Sequence, residues 1–221
     1  MVPKKRVILT VAILVSLLIT TYVLTIAQST ITSVEPVPPL DAPPNKHIVY
    51  FVTEDTGQVA DLVAPQKLEA SLGSQTAQSW GEVVNKNTER PIDALIIHNS
   101  KLGEVDRNWV SEAYRRGVVI AGINLSGQQI ADLVGNPCIA RDSFAADTSS
   151  PMFVMVSSSV SGENPEDIGK VVSTITQSCG EATAEGVVGQ VSVVQSRATD
   201  LLDTENGYNI FTRQLALYLE N

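Results

Sequence analysis

Five short apolar runs in this chain each give way to a polar cluster, and the side chains that can do chemistry sit in those clusters. They read Thr53-Glu54-Asp55-Thr56, His98-Asn99-Ser100-Lys101, Asn124-Leu125-Ser126, Ser157-Ser158-Ser159 and Gln195-Ser196-Arg197. An imidazole, two carboxylates, a lysine, an arginine and several hydroxyls are parts for acid–base chemistry or for holding a small polar ligand. Ser126 as nucleophile, His98 as base and Asp55 as the acid that orients it would assemble a hydrolytic triad. Glu54, Asn99, Lys101, Asn124 and Arg197 are the matching candidates for ligand contact.

Each reading meets a plainer one. A hydrolase elbow needs G-x-S-x-G, but the chain reads Ile123-Asn124-Leu125-Ser126-Gly127-Gln128, with Asn124 and Gln128 where glycines belong. Ser126 instead pairs with Gln129 as an S-x-x-Q capping box. Asn124-Leu125-Ser126 also fits the glycosylation sequon, a pattern common by chance. Glu54 and Asp55 are adjacent, so an extended chain points them to opposite faces. Ser157 to Ser159, with Ser161 and Gly162, can offer hydroxyls and amides to an anion, or can simply be a loop. Neither G-x-x-x-x-G-K-[ST] nor G-x-G-x-x-G follows any apolar run, which leaves nucleotide cradles unsupported. Two cysteines and two histidines leave little material for zinc, which takes three or four protein ligands. No cofactor or metal is expected.

The elements that must carry these clusters alternate. Residues 47–53 read as a buried strand, and a long helix is expected over 66–86 despite its polar middle, Gly73 to Ser79. A second strand covers Ile92 to Ile97. Asp106 caps the next helix, Trp109, Val110 and Ala113 form its apolar face, and Gly117 stops it. Val118 to Ile123 is a third strand. The helix capped by Ser126 ends at Gly135, before Pro137. Met152 to Val156 is a fourth strand, followed by a helix from Asn164 to Gly180. Val187 to Val194 is a fifth, and a last helix carries Ile210, Phe211, Leu215, Tyr218 and Leu219. Strands separated by helices imply parallel pairing by right-handed crossovers. The expected fold is α/β, a five-stranded, mostly parallel, doubly wound sheet of the flavodoxin-like class, in one domain over 47–221.

The cysteines follow from that topology. Cys138 and Cys179 each end a helix, and helices after successive parallel strands end at the same edge. A Cys138–Cys179 disulfide is the expected pairing in an oxidising compartment, and two separate buried thiols are the alternative.

The segment Ile92–Asn124, with D-A-L-I-I-H-N, a helix and then R-G-V-V-I-A-G-I-N, resembles the strand–helix–strand units of class I glutamine-amidotransferase-like domains. That likeness implies a fold only. The family's cysteine on a glycine-flanked turn has no counterpart here, and no functional residue carries over.

Residues 7–27 contain no charge, and at about 1.5 Å per residue a helix of that length spans roughly 31 Å, a bilayer's hydrocarbon core. Lys4-Lys5-Arg6 precede it, and no Lys or Arg follows until Lys46, so the six-residue tail 1–6 is expected in the cytoplasm and the rest outside. A signal peptide cleaved after Ala27 is the alternative, and it also exports the domain. Residues 28–46 contain Pro36, Pro38, Pro39, Pro43 and Pro44 and read as an extended stalk. Residues 28–221 carry 12 basic and 24 acidic side chains, a balance of −12 that argues against nucleic acid. The partners expected are the lipid bilayer, through 7–27, and a small polar ligand or an envelope protein. The leading function is a non-enzymatic binding or interaction module. The runner-up is an envelope hydrolase or transferase using His98, Asp55 and Ser126.

Overall fold

The computed structural model describes residues 45–54, 63–137, 139, 152–161, 181–184, 187–195 and 202–220. The elements are β1 (Ile48–Phe51), α1 (Pro65–Leu72), β2 (Gln75–Ala77), α2 (Trp80–Glu89), β3 (Ala94–His98), a 3-10 turn (Asn99–Glu104), α3 (Arg107–Arg115), β4 (Val119–Ile123), α4 (Gly127–Val134), β5 (Phe153–Ser161), β6 (Glu181–Ala184), β7 (Val187–Gln195) and α5 (Glu205–Glu220). The strands form one sheet in the order β2-β1-β3-β4-β5-β7-β6. The protein is α/β with a mixed sheet.

Two expectations are corrected. Among the described residues the sheet has seven strands, not five, and half its pairings are antiparallel. β2, β1, β3 and β4 run parallel, whereas β5 is antiparallel to β4, β7 to β5 and β6 to β7. An apolar run carries no sense of direction, so Met152 to Val156 reads the same whichever way the strand lies. The direction is set at Asn124. Its backbone takes the left-handed conformation (φ +55°), its N–H donates to the Met152 carbonyl at 2.8 Å, and its Oδ1 accepts from the Met152 N–H at 2.9 Å. Asparagine tolerates that conformation better than most residues. Met152 is thereby held at the carboxyl end of β4, and β5 leaves in the opposite sense.

The single helix expected over 66–86 is the second correction. Gly73 adopts φ +63° and closes α1, its N–H donating to the Glu69 carbonyl at 2.9 Å. Gln75–Ala77 then pairs with β1 as an edge strand. Ser79 starts α2 by accepting the Glu82 N–H, and the Glu82 carboxylate reaches back to the Gln78 N–H at 3.0 Å. The polar middle that weakened the helical pattern is this edge strand and its two boundaries.

Strands β1, β3 and β4 and the start of β5 are buried on both faces, as in a sheet covered by helices on either side. On one face Ile48, Tyr50, Ile96, Ala121, Phe153 and Met155 meet α1 and α5, with Phe153 and Phe211 edge-to-face at 5.1 Å. On the other, Val49, Leu95, Ile97, Ile120, Val154 and Val156 meet Val83 of α2, Val110 and Tyr114 of α3, and Ile130 and Val134 of α4. The caps expected for α3 and α4 are present. Asp106 Oδ1 accepts from the Asn108 and Trp109 N–H groups at 2.9 and 3.1 Å. Ser126 and Gln129 form a full capping box, and Gly135 closes α4 at φ +69°. The helix expected over 164–180 lies outside the described residues, as do segment 7–27, the stalk up to residue 44, and both cysteines. With β5 antiparallel, the shared-edge argument for Cys138 and Cys179 loses its premise.

Candidate functional site

In an open α/β sheet a crevice forms where successive connections leave for opposite faces. Here that point lies between β1 and β3. The chain leaving β1 goes to α1 on one face, and the chain leaving β3 goes to α3 on the other. Phe51 pairs with Ile97, so the residues at the carboxyl ends of this pair are Val52 to Glu54 and His98 to Lys101. These include four of the residues singled out from sequence: Glu54, His98, Asn99 and Lys101.

Their geometry separates structural from available groups. His98 is 1% exposed. Its Nδ1 accepts the Ser100 N–H at 3.1 Å and lies 2.9 Å from Ser100 Oγ, so the ring caps the 3-10 turn. An accepting Nδ1 puts the proton of the neutral ring on Nε2. Lys101 Nζ donates to Glu104 Oε1 at 2.7 Å and lies 5.6 Å from the Phe51 ring centroid, with its side chain only 12% exposed. Asn99 and Glu54 are exposed.

Ser126 and Asn124 work inside the fold. Ser126 Oγ accepts from the Gln129 N–H at 3.2 Å, and the Ser126 N–H donates to Gln129 Oε1 at 2.7 Å. Asn124 holds β5 in place as described above. Ser157 to Ser159 form no loop at this rim: they continue β5, which runs away from it, and Ser158 Oγ donates to the Tyr114 carbonyl on the far side. Asp55 and Arg197 lie outside the described residues.

Sequence reading missed an aromatic layer beside the same edge. Phe51 and Trp80 stand edge-to-face at 5.5 Å, and Trp80 and Trp109 at 5.4 Å. Both tryptophans occupy the first turn of a helix and are half-buried, packed on the core of the α2–α4 face. The available signal was the place of each in the first turn after a helix cap, Trp80 directly after Ser79 and Trp109 three residues after Asp106. Away from the rim, at the opposite edge, Lys46, Asp93, Arg116 and Tyr218 line a cleft of about 170 Å³. Asp93 there accepts the His47 N–H at 2.7 Å and lies 3.6 Å from Lys46 Nζ, which fixes where β1 and β3 begin.

Two tyrosines have shifted acidity. Burial pushes the Tyr114 phenol up to about 12, against a smaller opposing effect from Asn136. Burial also raises Tyr208, opposed by its hydrogen bond with Ser71. Tyr208 Oη donates to the Lys67 carbonyl at 3.0 Å, and its ring lies 3.9 Å beneath Lys67 Nζ, tying α5 to α1.

The carboxyl edge can therefore offer hydrogen bonds and aromatic surface. Anion binding at its helix ends is another matter, because α2, α3 and α4 each begin with a side chain already on the free amides: Ser79, Asp106 and Ser126. A phosphate there must displace an oxygen the chain supplies itself. No protein-family model matches the chain, and comparison with curated proteins and with solved structures finds no significant match.

Proposed function

We propose that this chain is a membrane-tethered, extracytoplasmic α/β domain that acts as a binding or interaction module at the carboxyl edge between β1 and β3. The observation that supports it is the use of the catalytic candidates as acceptors. His98 Nδ1 takes the Ser100 N–H and Ser126 Oγ takes the Gln129 N–H. A Ser126–His98 pair needs the Ser126 hydroxyl to donate to the imidazole, whereas the hydroxyl within reach of Nδ1, at 2.9 Å, is that of Ser100 in the same turn. Each group here holds a helix or turn end instead. Exposed Asn99 and Glu54 beside the partly buried Lys101–Glu104 pair are what the edge leaves for a partner.

The tether is read from sequence. Residues 7–27 anchor, residues 1–6 stay in the cytoplasm, and residues 28–46 hold the domain off the bilayer. The composition of the rest, at −12, suits a soluble exported body rather than one bound to nucleic acid. Among the described residues no helix is long and apolar enough to cross a membrane.

Three measurements test this reading. Protease added to intact cells or spheroplasts should remove a C-terminal epitope while leaving a cytoplasmic marker whole; a protected epitope overturns the export. Purified full-length protein should gain melting temperature with a binding partner in a stabilisation screen, since a ligand of the native state stabilises it. Turnover of ester or amide substrates that is lost in both Ser126→Ala and His98→Ala would instead establish the hydrolase or transferase.

A further inference from the structure

One sequence motif is left unused by the candidate site. Asn124-Leu125-Ser126 is the one N-x-[ST] triplet in the chain, the acceptor pattern for N-glycosylation. In the folded protein Asn124 is 4% exposed and Leu125 is fully buried. The Met152 N–H donates to Asn124 Oδ1 at 2.9 Å, and only the carbonyl oxygen of a carboxamide can accept it, so the direction of Nδ2 is fixed inside the fold. The hydroxyl that completes the triplet, Ser126 Oγ, takes the Gln129 N–H in the α4 cap. A sugar chain on Nδ2 is bulky and strongly hydrated and has to lie at the surface. Bringing Nδ2 into water turns the carboxamide off Met152 and opens the junction where β5 meets β4.

The triplet is open only early. Met152 follows Asn124 by 28 residues. At about 5–20 residues per second the acceptor is therefore exposed for roughly 1–6 s before its partner has been made. A lipid-pyrophosphate-linked oligosaccharide that meets the chain in that interval can be transferred. The Asn124 Nδ2–sugar bond forms at the anomeric carbon, the bond from that carbon to the pyrophosphate breaks, and one Nδ2 proton leaves with the lipid pyrophosphate. We propose that glycosylation at Asn124 and closure of β5 on β4 exclude each other, so Asn124 is a closed modification site and the native protein carries it unmodified. Export then follows a route on which no oligosaccharide is transferred to the nascent chain. That consequence rests on the export reading above, whereas the exclusion rests on the fold alone.

Two experiments test it. In the first, purified full-length protein in detergent is offered a single-subunit oligosaccharyltransferase and a lipid-linked oligosaccharide, with a free peptide of the same triplet as positive control. Folded protein should stay unmodified. Met152→Pro removes the N–H that Asn124 accepts and should raise the modified fraction about tenfold, the factor that corresponds to roughly 1.4 kcal/mol of hydrogen bonding. Modified protein that keeps its melting transition overturns the exclusion, and a Met152→Pro chain as inert as the parent overturns the role given to that bond. In the second, the full chain is translated with microsomes, and limited trypsin digestion is compared between molecules with and without the glycan. Unmodified molecules should keep a resistant core that glycosylated ones lose. Ser126→Asp removes the triplet but keeps a capping oxygen, and should give only unmodified, resistant protein. A resistant core in the glycosylated molecules overturns the proposal, and a lumenal chain that never gains a glycan overturns the open interval. A C-terminal epitope left outside the microsomes refutes export alone, and the first experiment then decides the exclusion.

Discussion

Asn124 shows how much one residue can decide. It sits at a positive φ and turns its backbone and its carboxamide on Met152, so it joins the parallel half of the sheet to the antiparallel half. Asn124→Ala loses the side-chain bond and leaves a β-carbon in the left-handed region, which should cost about 1–3 kcal/mol. Asn124→Gly relieves the backbone and should cost less. Denaturant midpoints give the difference, and equal losses would show that conformation plays no part. Ser126→Ala removes half of a capping box and should cost about 1 kcal/mol, read the same way. Tyr114 bears on pH. Its folded pKa, about 12, lies above the ordinary 10, so the folded state holds this proton more tightly. That contribution to stability is complete below about pH 10 and is lost as pH rises toward 12. Tyr114→Phe should flatten that alkaline limb in melting curves recorded across the range; an unchanged limb would assign it to other groups.

At the scale of elements, β4 and α4 are fitted to each other at Gly122. A β-carbon there would come within 2.7 Å of Ile130 Cδ1 and 2.9 Å of Leu125. Gly122→Ala should therefore destabilise by about 1–3 kcal/mol, as overpacking does. Ile130→Val removes the closest atom, so the double variant should recover part of the loss; strict additivity in a double-mutant cycle would place the strain elsewhere. Legibility differed among elements for physical reasons. β3, β4, α3 and α4 were readable because β-branched runs and side-chain caps are local signals, and Asp106, Ser126, Gly117 and Gly135 lie at the ends they mark. β2 was not, because three residues with one buried side chain carry no period. Glu181–Ala184 is a short strand of the same obscure kind, with two residues between it and β7. The candidate site was half legible. The polar clusters marked the strand ends, but a sequence does not say whether His98 and Ser126 are spent on the backbone or free for a substrate, and the aromatic layer joins residues from three separate elements.

For the whole molecule, the export reading carries a covalent consequence. With the shared-edge argument gone, an oxidising compartment is what still favours a Cys138–Cys179 bridge; if it forms, the protein should be two hydrogens lighter by mass under non-reducing conditions and more stable by about 3–4 kcal/mol. A full count of free thiols would favour two separate cysteines. The mixed sheet also sets an order of assembly. Parallel strands β1 to β4 wait on helical crossovers, while β6 and β7, two residues apart, can close within about 1–10 μs of meeting. Yet the chain is synthesised amino end first, so β4 exists before β5, the strand that pairs with its outer side. Until residue 153 and its successors arrive, the nascent half-sheet has a bare hydrogen-bonding margin of five apolar residues, Val119–Ile123. That interval is when a stalled or truncated chain would stick to its neighbours, and a holding chaperone acts to most effect there, on a half-built protein whose finished form keeps the same strand sealed.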